Sequence, residues 1–546
     1  MPAVIEPAAT RRAFVRRVAI PAACCACFIA QCLWCIGSQS LTYDEPVHVM
    51  AGLEAWDRGR FDRWNDQPPL ARLLVTAPIH FLGRTRWRLD DLGPSGANFW
   101  TISIRPDPIR LAWQTRPVNV ALGLLLGLLL WTTARRLFSE GAANLALALF
   151  ACSPALIAHF SLATVDGAAT LLFFATAVAV ERWIASASWR ATLGLGFTVG
   201  GFLVAKFSAP PMILLALGLM AATAPAGARV RRLSMSGCSI ALAFAVVWGL
   251  YRFHVGPVTF RNGSLSGPYA RTQSVIVPTV RPINVTLPLP APEYVTALGG
   301  VAQDAVRGQP SFLMGEIRTS GGWRRYLPIV VWLKWPLAVW LFAAAALTLL
   351  AARHIPPTRQ LGVLMIFPAV FFGLAMLTNL DVGDRYVLPV YPFVLLLAAG
   401  TWEAARTNRL AAAVVVGLVL AQAADALRYA PDALAYFNAF VSSERSYGWL
   451  SDSNLDWGQG LIALREYEQA HPNRAIWLAY FGGVDPRSYG IRARVLPEGA
   501  RASGTVIVSS THLSGQYLRN PAAYHWLLEY PRTTILNHTL HVFEVP

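Results

Sequence analysis

Charged residues are scarce in this 546-residue chain. Only 14% are Asp, Glu, Lys or Arg, against about a quarter in ordinary soluble proteins, while 55% are hydrophobic and the mean hydropathy is +0.43. That balance excludes a freely soluble enzyme and a disordered chain alike. Lysine is almost missing: Lys206 and Lys334 are the only two, so the formal charge of +16 is an arginine charge. The arginines flank apolar runs, which ties them to membrane orientation and argues against a nucleic-acid partner. Cysteine is too clustered for a disulfide framework or a zinc site. Five of the seven (Cys24, Cys25, Cys27, Cys32 and Cys35) lie in one apolar segment, and the Cys32/Cys35 spacing has no second ligand pair. They read as small apolar residues of a helix. Also missing are an internal repeat and the loops GxxxxGK[ST] and GxGxxG, so the sequence requires no nucleotide or other cofactor.

What is present is a series of long apolar runs. A membrane span needs about 20 such residues. Candidates are 18–38, 117–134, 141–160, 165–184, 191–206, 209–225, 234–251, 327–352, 360–378, 386–401 and 409–428. The first follows Arg11, Arg12, Arg16 and Arg17; it is long for a signal peptide and lacks an A-x-A site, so it reads as a retained anchor with a cytoplasmic N-terminus. Segment 70–83 has only 14 residues and carries Arg72 and His80, which predicts an interfacial helix. Leaving it out gives eleven spans and sorts Arg135, Arg136, Arg182, Arg190, Arg229, Arg231, Arg232, Arg353, Arg359, Arg406 and Arg409 onto the cytoplasmic side. Glu54, Arg318 and the tail around His512 are then expected outside, and Arg135 and Arg231 inside.

The expected organisation is a polytopic α-helical membrane domain over residues 1–428, with long outer loops at 39–116 and 252–326. A small extracytoplasmic α/β domain follows at 429–546, with a helical pattern at 457–470 and β-like runs at 475–481, 505–510 and 534–544.

Chemistry concentrates at the outer ends of the spans. Thr42-Tyr43-Asp44-Glu45-Pro46-Val47-His48 follows the first span, with Pro46 suited to a first helical turn. Asp44 and Glu45 then have two readings: caps of a helix N-terminus, or a general base worth roughly 10²–10⁴-fold at a membrane surface. His48, four residues beyond Asp44, is near enough to share a face with it; the pair alone does not define a metal site, and any metal stays unknown. Asp166 opens the fourth span, Lys206 closes the fifth and Arg385 opens the tenth, all on the outer side. Each also has a plain reading: a cap for Asp166, a snorkelling end for Lys206, a pairing with Asp384 or Asp381 for Arg385. Yet Lys206 and Arg385 are cations where the positive-inside rule depletes them, which suits an anionic, phosphate-bearing substrate. Lys334 lies within the eighth span, where a lysine costs roughly 2.5–3.5 kcal/mol unless it snorkels. Ser451-Asp452-Ser453-Asn454-Leu455-Asp456-Trp457-Gly458-Gln459 imitates a calcium loop, but Trp457 stands at the required glycine and Ala463 at the final glutamate. It is expected to be a turn that caps the following helix.

Together these residues resemble the GT-C glycosyltransferases, nearest the bacterial family 39 group related to protein O-mannosyltransferases and lipid A aminoarabinose transferases. The resemblance rests on Tyr43-Asp44-Glu45-Pro46 with His48, on Gln67-Pro68-Pro69-Leu70-Ala71-Arg72, on Thr164-Val165-Asp166 and on Ala205-Lys206-Phe207-Ser208. It continues through Trp332-Leu333-Lys334-Trp335-Pro336, Gly383-Asp384-Arg385-Tyr386 and Asp452 to Gln459. It implies a GT-C-like fold and transfer with inversion from a polyprenyl-phosphate-linked sugar to a hydroxyl acceptor at the outer face of the cytoplasmic membrane. The acceptor class (protein, lipid or glycan) stays open. The catalytic group so implied is Asp44, with Glu45 and Asp166 beside it; Lys206, Arg385 and Tyr386 match phosphate contacts, and His48, Gln67, Arg72 and Lys334 complete the substrate-binding set. Relatives commonly carry His where Gln67 stands and Lys where Arg72 stands, which removes a potential metal ligand here. The rival expectation is a transporter or flippase of a lipid-linked anion, which inverted repeats and midplane charges would favour.

Overall fold

The computed structural model describes residues 15–61, 66–82, 87–95, 98–105, 107–261, 264–267 and 284–546. Arg11 and Arg12 lie outside them. Seven helices are long and apolar enough to cross a membrane: Arg17–Ser38, Pro108–Leu137, Asp166–Ala185, Ala226–Leu250, Arg359–Leu377, Leu388–Ala405 and Arg409–Leu427. Two bent pairs raise the count to nine among the described residues: Glu140–Ala151 with Pro154–Phe160 at 63°, and Tyr326–Lys334 with Leu337–Ala351 at 109°. The polytopic helical architecture is the expected one. The count of eleven is not reached, because helices Trp189–Leu203 and Ala209–Ala222 have 15 and 14 residues, short of a straight crossing. The expected interfacial segment is a short apolar helix with a π turn, Pro69–Leu82. Glu54 is 1% exposed, so it is no marker of an accessible face.

Both bends repair the backbone bonds that proline removes. At the first, Gln422 Nε2 donates to the Leu149 and Cys152 carbonyls (2.9 and 3.1 Å), and Gln31 Nε2 to that of Ala151 (2.9 Å). At the second, Asn438 Nδ2 donates to the carbonyls of Trp332 (2.6 Å) and Trp335 (3.1 Å). An unpaired buried carbonyl costs roughly 1–3 kcal/mol, so these amides in apolar surroundings are part of the bends. Lys334 ends helix Tyr326–Lys334. It does not snorkel: it is buried and donates to the Leu434 and Asn454 carbonyls at 2.9 and 2.5 Å.

The C-terminal region folds into a five-stranded sheet in the order Arg532–Leu536, Leu540–Val545, Gly504–Ser509, Ile476–Ala479, Arg494–Val495. From the central strand Gly504–Ser509 the pairing is parallel toward Arg494–Val495 and antiparallel toward Arg532–Leu536. The expected run 534–544 is two strands, folded over at Asn537 and His538, which both take positive φ. The expected helix from 457 starts at Leu461, and its N-cap is Gly460 without a side-chain cap. Asp456 is occupied otherwise, accepting from the Thr511 and Gly458 amides (3.0 and 3.2 Å), so the preceding turn does not cap the helix.

Strand alternation decides what the sheet buries. Val506, Val508 and Phe543 pack with Tyr524 and Leu527 on one face. Leu478, Ile507 and Val542 pack on the other with Leu461 and Leu464, and with Leu41, Val49, Leu53 and Ile79 of the first long loop. The first loop and the C-terminal sheet thus share a core, and a bridge pairs Ile102 with Val484. That shared core sets residues 40–45 against residues 456–460.

Candidate active site

The chain leaves its first span and is clamped at once. The Ser40 amide donates to Gln459 O (3.0 Å) and the Tyr43 amide to Trp457 O (2.8 Å). A Cβ on Gly483 would lie 2.4 Å from the Tyr43 carbonyl, so only glycine permits that approach. Helix Glu45–Arg58 starts from this anchor with Asp44 at the N-cap position, yet the Asp44 side chain makes no capping bond. Its Oδ2 instead accepts from Arg385 Nη1 at 2.7 Å, with the two side chains 30% and 18% exposed. Arg385 therefore pairs with Asp44 rather than with Asp384 or Asp381. Its guanidinium lies over the Trp457 ring, 4.3 Å from the centroid. Burial opposes that charge, but the carboxylates of Asp44, Asp166 and Asp452 outweigh burial and raise the Arg385 pKa above its ordinary value.

Glu45 is turned the other way. It is completely buried and accepts from Arg116 Nε and Nη2, both at 2.8 Å, and from the amides of Ala163 and Thr42, both at 2.7 Å. Burial alone would raise its pKa; Arg116 and the amides hold it below the ordinary value. Arg116 also donates to the carbonyls of Gln39 and Ser40 (2.8 and 2.7 Å). The pair ties the first loop to the segment leading into Asp166.

Asp166 is the first residue of helix Asp166–Ala185, buried, with Oδ1 accepting from Lys206 Nζ at 2.6 Å. Its Oδ2 has no hydrogen-bond partner among the described residues. Lys206 also stands 5.9 Å from the Tyr386 ring centroid. Beside this group, Arg72 Nε donates to His48 Nδ1 (3.2 Å), while its Nη2 reaches Asp66 Oδ1 (2.9 Å) and its Nη1 the Gln67 carbonyl (3.2 Å). Burial first, then the Arg72 charge, pushes His48 down to about 4. The accepting Nδ1 of the neutral ring assigns the proton to Nε2. Gln67 Oε1 is buried without a partner among the described residues, in a recess it shares with Arg72, Phe61 and Tyr251.

Asp44, Asp166, Lys206, Arg385 and Tyr386 thus come together, with His48, Gln67 and Arg72 adjoining. Glu45 and Lys334 do not face this group: one is saturated by Arg116, the other by backbone carbonyls. Sequence reasoning missed Arg116, Trp457, Asp452 and the His159–Asp384 contact (3.4 Å). The motif 452–459 is the available signal for two of them: it enters the family resemblance, but it is expected to be a capping turn and neither residue receives a site role. Among the described residues no three His, Cys, Asp or Glu side chains cluster closely enough to hold a metal ion. Chemically, the group offers a partly exposed carboxylate able to take a proton, and two cations able to hold an anion.

Comparison with known proteins places part of this chain. Residues 110–251 match the model of the dolichyl-phosphate-mannose-protein mannosyltransferase family, which agrees with the resemblance drawn from the sequence. The match includes Asp166 and Lys206 but neither Asp44 nor Arg385. No curated protein matches the chain. Among solved structures it is similar to the protein O-mannosyltransferase Pmt1–Pmt2 complex of S. cerevisiae bound to the sugar donor, at 12% identity over 77% of this chain and 91% of that one, TM-score 0.49. ArnT from Cupriavidus metallidurans is also similar, at 14% identity and 94% coverage of this chain. Its undecaprenyl phosphate-bound form is covered to 97% with TM-score 0.44, and its apo form to 96% with TM-score 0.43.

Proposed function

We propose that the chain is an inverting glycosyltransferase that moves a hexosyl or pentosyl unit from a polyprenyl-phosphate donor to a hydroxyl acceptor. The observation that carries this reading is the orientation of Asp44: it occupies a capping position but leaves the helix uncapped and reaches Arg385. A carboxylate with only a structural role would satisfy the amides in front of it. The match of residues 110–251 to a family named for a lipid-phosphate sugar donor supports the donor class.

The steps follow from the charges. The donor phosphate meets Lys206 and Arg385 while the lipid tail lies among the spans. Drawn toward the phosphate, Arg385 loosens its hold on Asp44 and leaves that carboxylate open to the acceptor hydroxyl. Asp44 then takes the acceptor hydroxyl proton. The acceptor oxygen bonds to the anomeric carbon as the bond from that carbon to the phosphate oxygen breaks, and the leaving electron pair goes to the phosphate. The two cations stabilise that oxygen as its charge develops. Asp166 orients Lys206. In this reading Glu45 and Lys334 are positioning residues: Glu45 fixes the backbone under Asp44, and Lys334 fixes the segment that carries Trp457.

The arginine pattern supports a multi-pass protein of the cytoplasmic membrane, with the site and the C-terminal domain (429–546) extracytoplasmic and the N-terminus cytoplasmic. Exposed Arg318 and Arg231 are suitable labelling positions. Labelling of Arg318→Cys and Arg231→Cys from the same side of intact cells would overturn the sidedness. For the reaction, purified protein is given a radiolabelled polyprenyl-phosphate sugar together with a mixture of hydroxyl acceptors (a Ser/Thr peptide, methyl glycosides and a glycolipid). Release of the sugar from the lipid, lost in Asp44→Asn, is the expected result. A protein that moves the lipid across vesicles without ever releasing sugar is the rival transporter.

A further inference from the structure

Tyr43, next to Asp44 in the chain, begins a stack of three aromatic rings, two of them supplied by the C-terminal domain. Phe481 stacks on Tyr43 (5.3 Å between centroids, 8° between planes) and on Tyr517 (5.2 Å, 5°). Tyr517 is 41% exposed, and its hydroxyl donates to Asp452 Oδ2 at 2.8 Å. The stack therefore runs from Tyr43, the chain neighbour of Asp44, through Phe481 and Tyr517 to the Asp452 carboxylate. Asp452 holds a left-handed backbone (φ 56°) that a non-glycine residue rarely adopts. The function proposed above uses none of Phe481, Tyr517 and Asp452.

Backbone groups bordering the rings are already paired. Gly483 O accepts from Ile102, Trp457 O from Tyr43, Gly458 O from Ser40 and Tyr480, and the Phe481 amide donates to Ser509 Oγ. An extended peptide docks through open backbone donors and acceptors, which these groups do not offer. What the surface does offer is apolar ring area and carboxylate oxygens, which only accept hydrogen bonds. A sugar ring carries the complement: C–H faces that pack on aromatics and hydroxyls that donate.

Resting on the glycosyltransferase reading, we propose that Tyr43, Phe481, Tyr517 and Asp452 form the acceptor subsite, and that the acceptor hydroxyl belongs to a sugar ring rather than to a protein side chain. Asp452 accepts from a neighbouring hydroxyl of that ring and turns the reacting one toward Asp44.

The test is saturation-transfer NMR on the full chain in nanodiscs, with methyl glucoside, methyl mannoside and methyl galactoside as probes and a Ser/Thr-rich peptide as comparison. At least one glycoside should receive saturation through its C–H face, falling fivefold or more in Tyr517→Leu and threefold or more in Asp452→Asn. Tyr517→Phe keeps the ring and should retain more than half of the signal. Farnesyl phosphate affinity, read by fluorescence polarisation of a labelled analogue, should stay within twofold in Tyr517→Leu, which also reports folding. Silence from all three glycosides, transfer to the peptide instead, or an undiminished glycoside signal in both Tyr517→Leu and Asp452→Asn overturns the subsite. Loss of farnesyl phosphate binding in the unsubstituted protein would instead count against the donor reading.

Discussion

Asp44 and Glu45 are neighbours, each bonded to an arginine, and they end in opposite situations. Glu45 and Arg116 are fully buried, and both oxygens of the carboxylate accept two close hydrogen bonds or more. Asp44 is 30% exposed, and one arginine nitrogen on one oxygen is its only side-chain bond among the described residues. Saturation makes a carboxylate a fastener; under-saturation at an accessible edge leaves it free to take a proton. Chemical type does not separate them, and neither does charge.

Four measurements would break or sharpen that contrast. The largest effect is expected from Asp44→Asn, which keeps shape and charge-free hydrogen bonding but cannot act as a base. Sugar release should fall by roughly 10²–10⁴-fold with the melting temperature nearly unchanged. Near-normal turnover would leave Asp44 with only its structural tie to Arg385 and make Asp166 the next candidate.

Glu45→Gln should do the reverse. Removing one charge of a buried pair leaves Arg116 uncompensated, typically at roughly 3–5 kcal/mol, so thermal unfolding and yield should suffer most. A stable but inactive Glu45→Gln protein would exchange the roles of the two residues.

Lys206→Ala comes next. From the sequence alone an outer-face cation looks removable without harm to the fold, but its bond to buried Asp166 changes that expectation. Donor affinity should weaken about tenfold, the size of a charge-assisted contact of about 1.4 kcal/mol, with a measurable loss of stability as well. Lys206→Ala/Asp166→Asn should recover stability but not donor affinity.

The smallest effect is one of pH. Asp456 is fully buried, and burial pushes it up to about 7 from an ordinary 3.8. The folded protein therefore binds its proton more tightly, and the stability this contributes is full below about pH 4 and is lost as pH rises through 7. His48 and His512, both pushed down to about 4, act with the opposite sign: their contribution is present above 6.5 and is lost as pH falls through 4. The melting temperature of Asp456→Asn relative to the unsubstituted protein should accordingly rise between pH 4 and 7. A constant difference would show that Asp456 stays ionised in the fold.

Hydropathy is a local property, and the polytopic helical architecture, the short apolar helix at Pro69 and the β-rich tail were legible from it. The count of eleven spans is not confirmed in the same way, because a run of apolar residues does not reveal the break around Lys206 that leaves helices of 15 and 14 residues on either side. The residue types of the candidate site were visible too, as acids and cations at the outer ends of spans. Which acid meets which cation was decided by the tertiary structure alone. Asp44 and Arg385 are 341 positions apart, and Glu45 finds Arg116 only because the first loop packs under the C-terminal sheet. A short-range pattern states what a residue is; only long-range packing decides how many partners remain for it to bond.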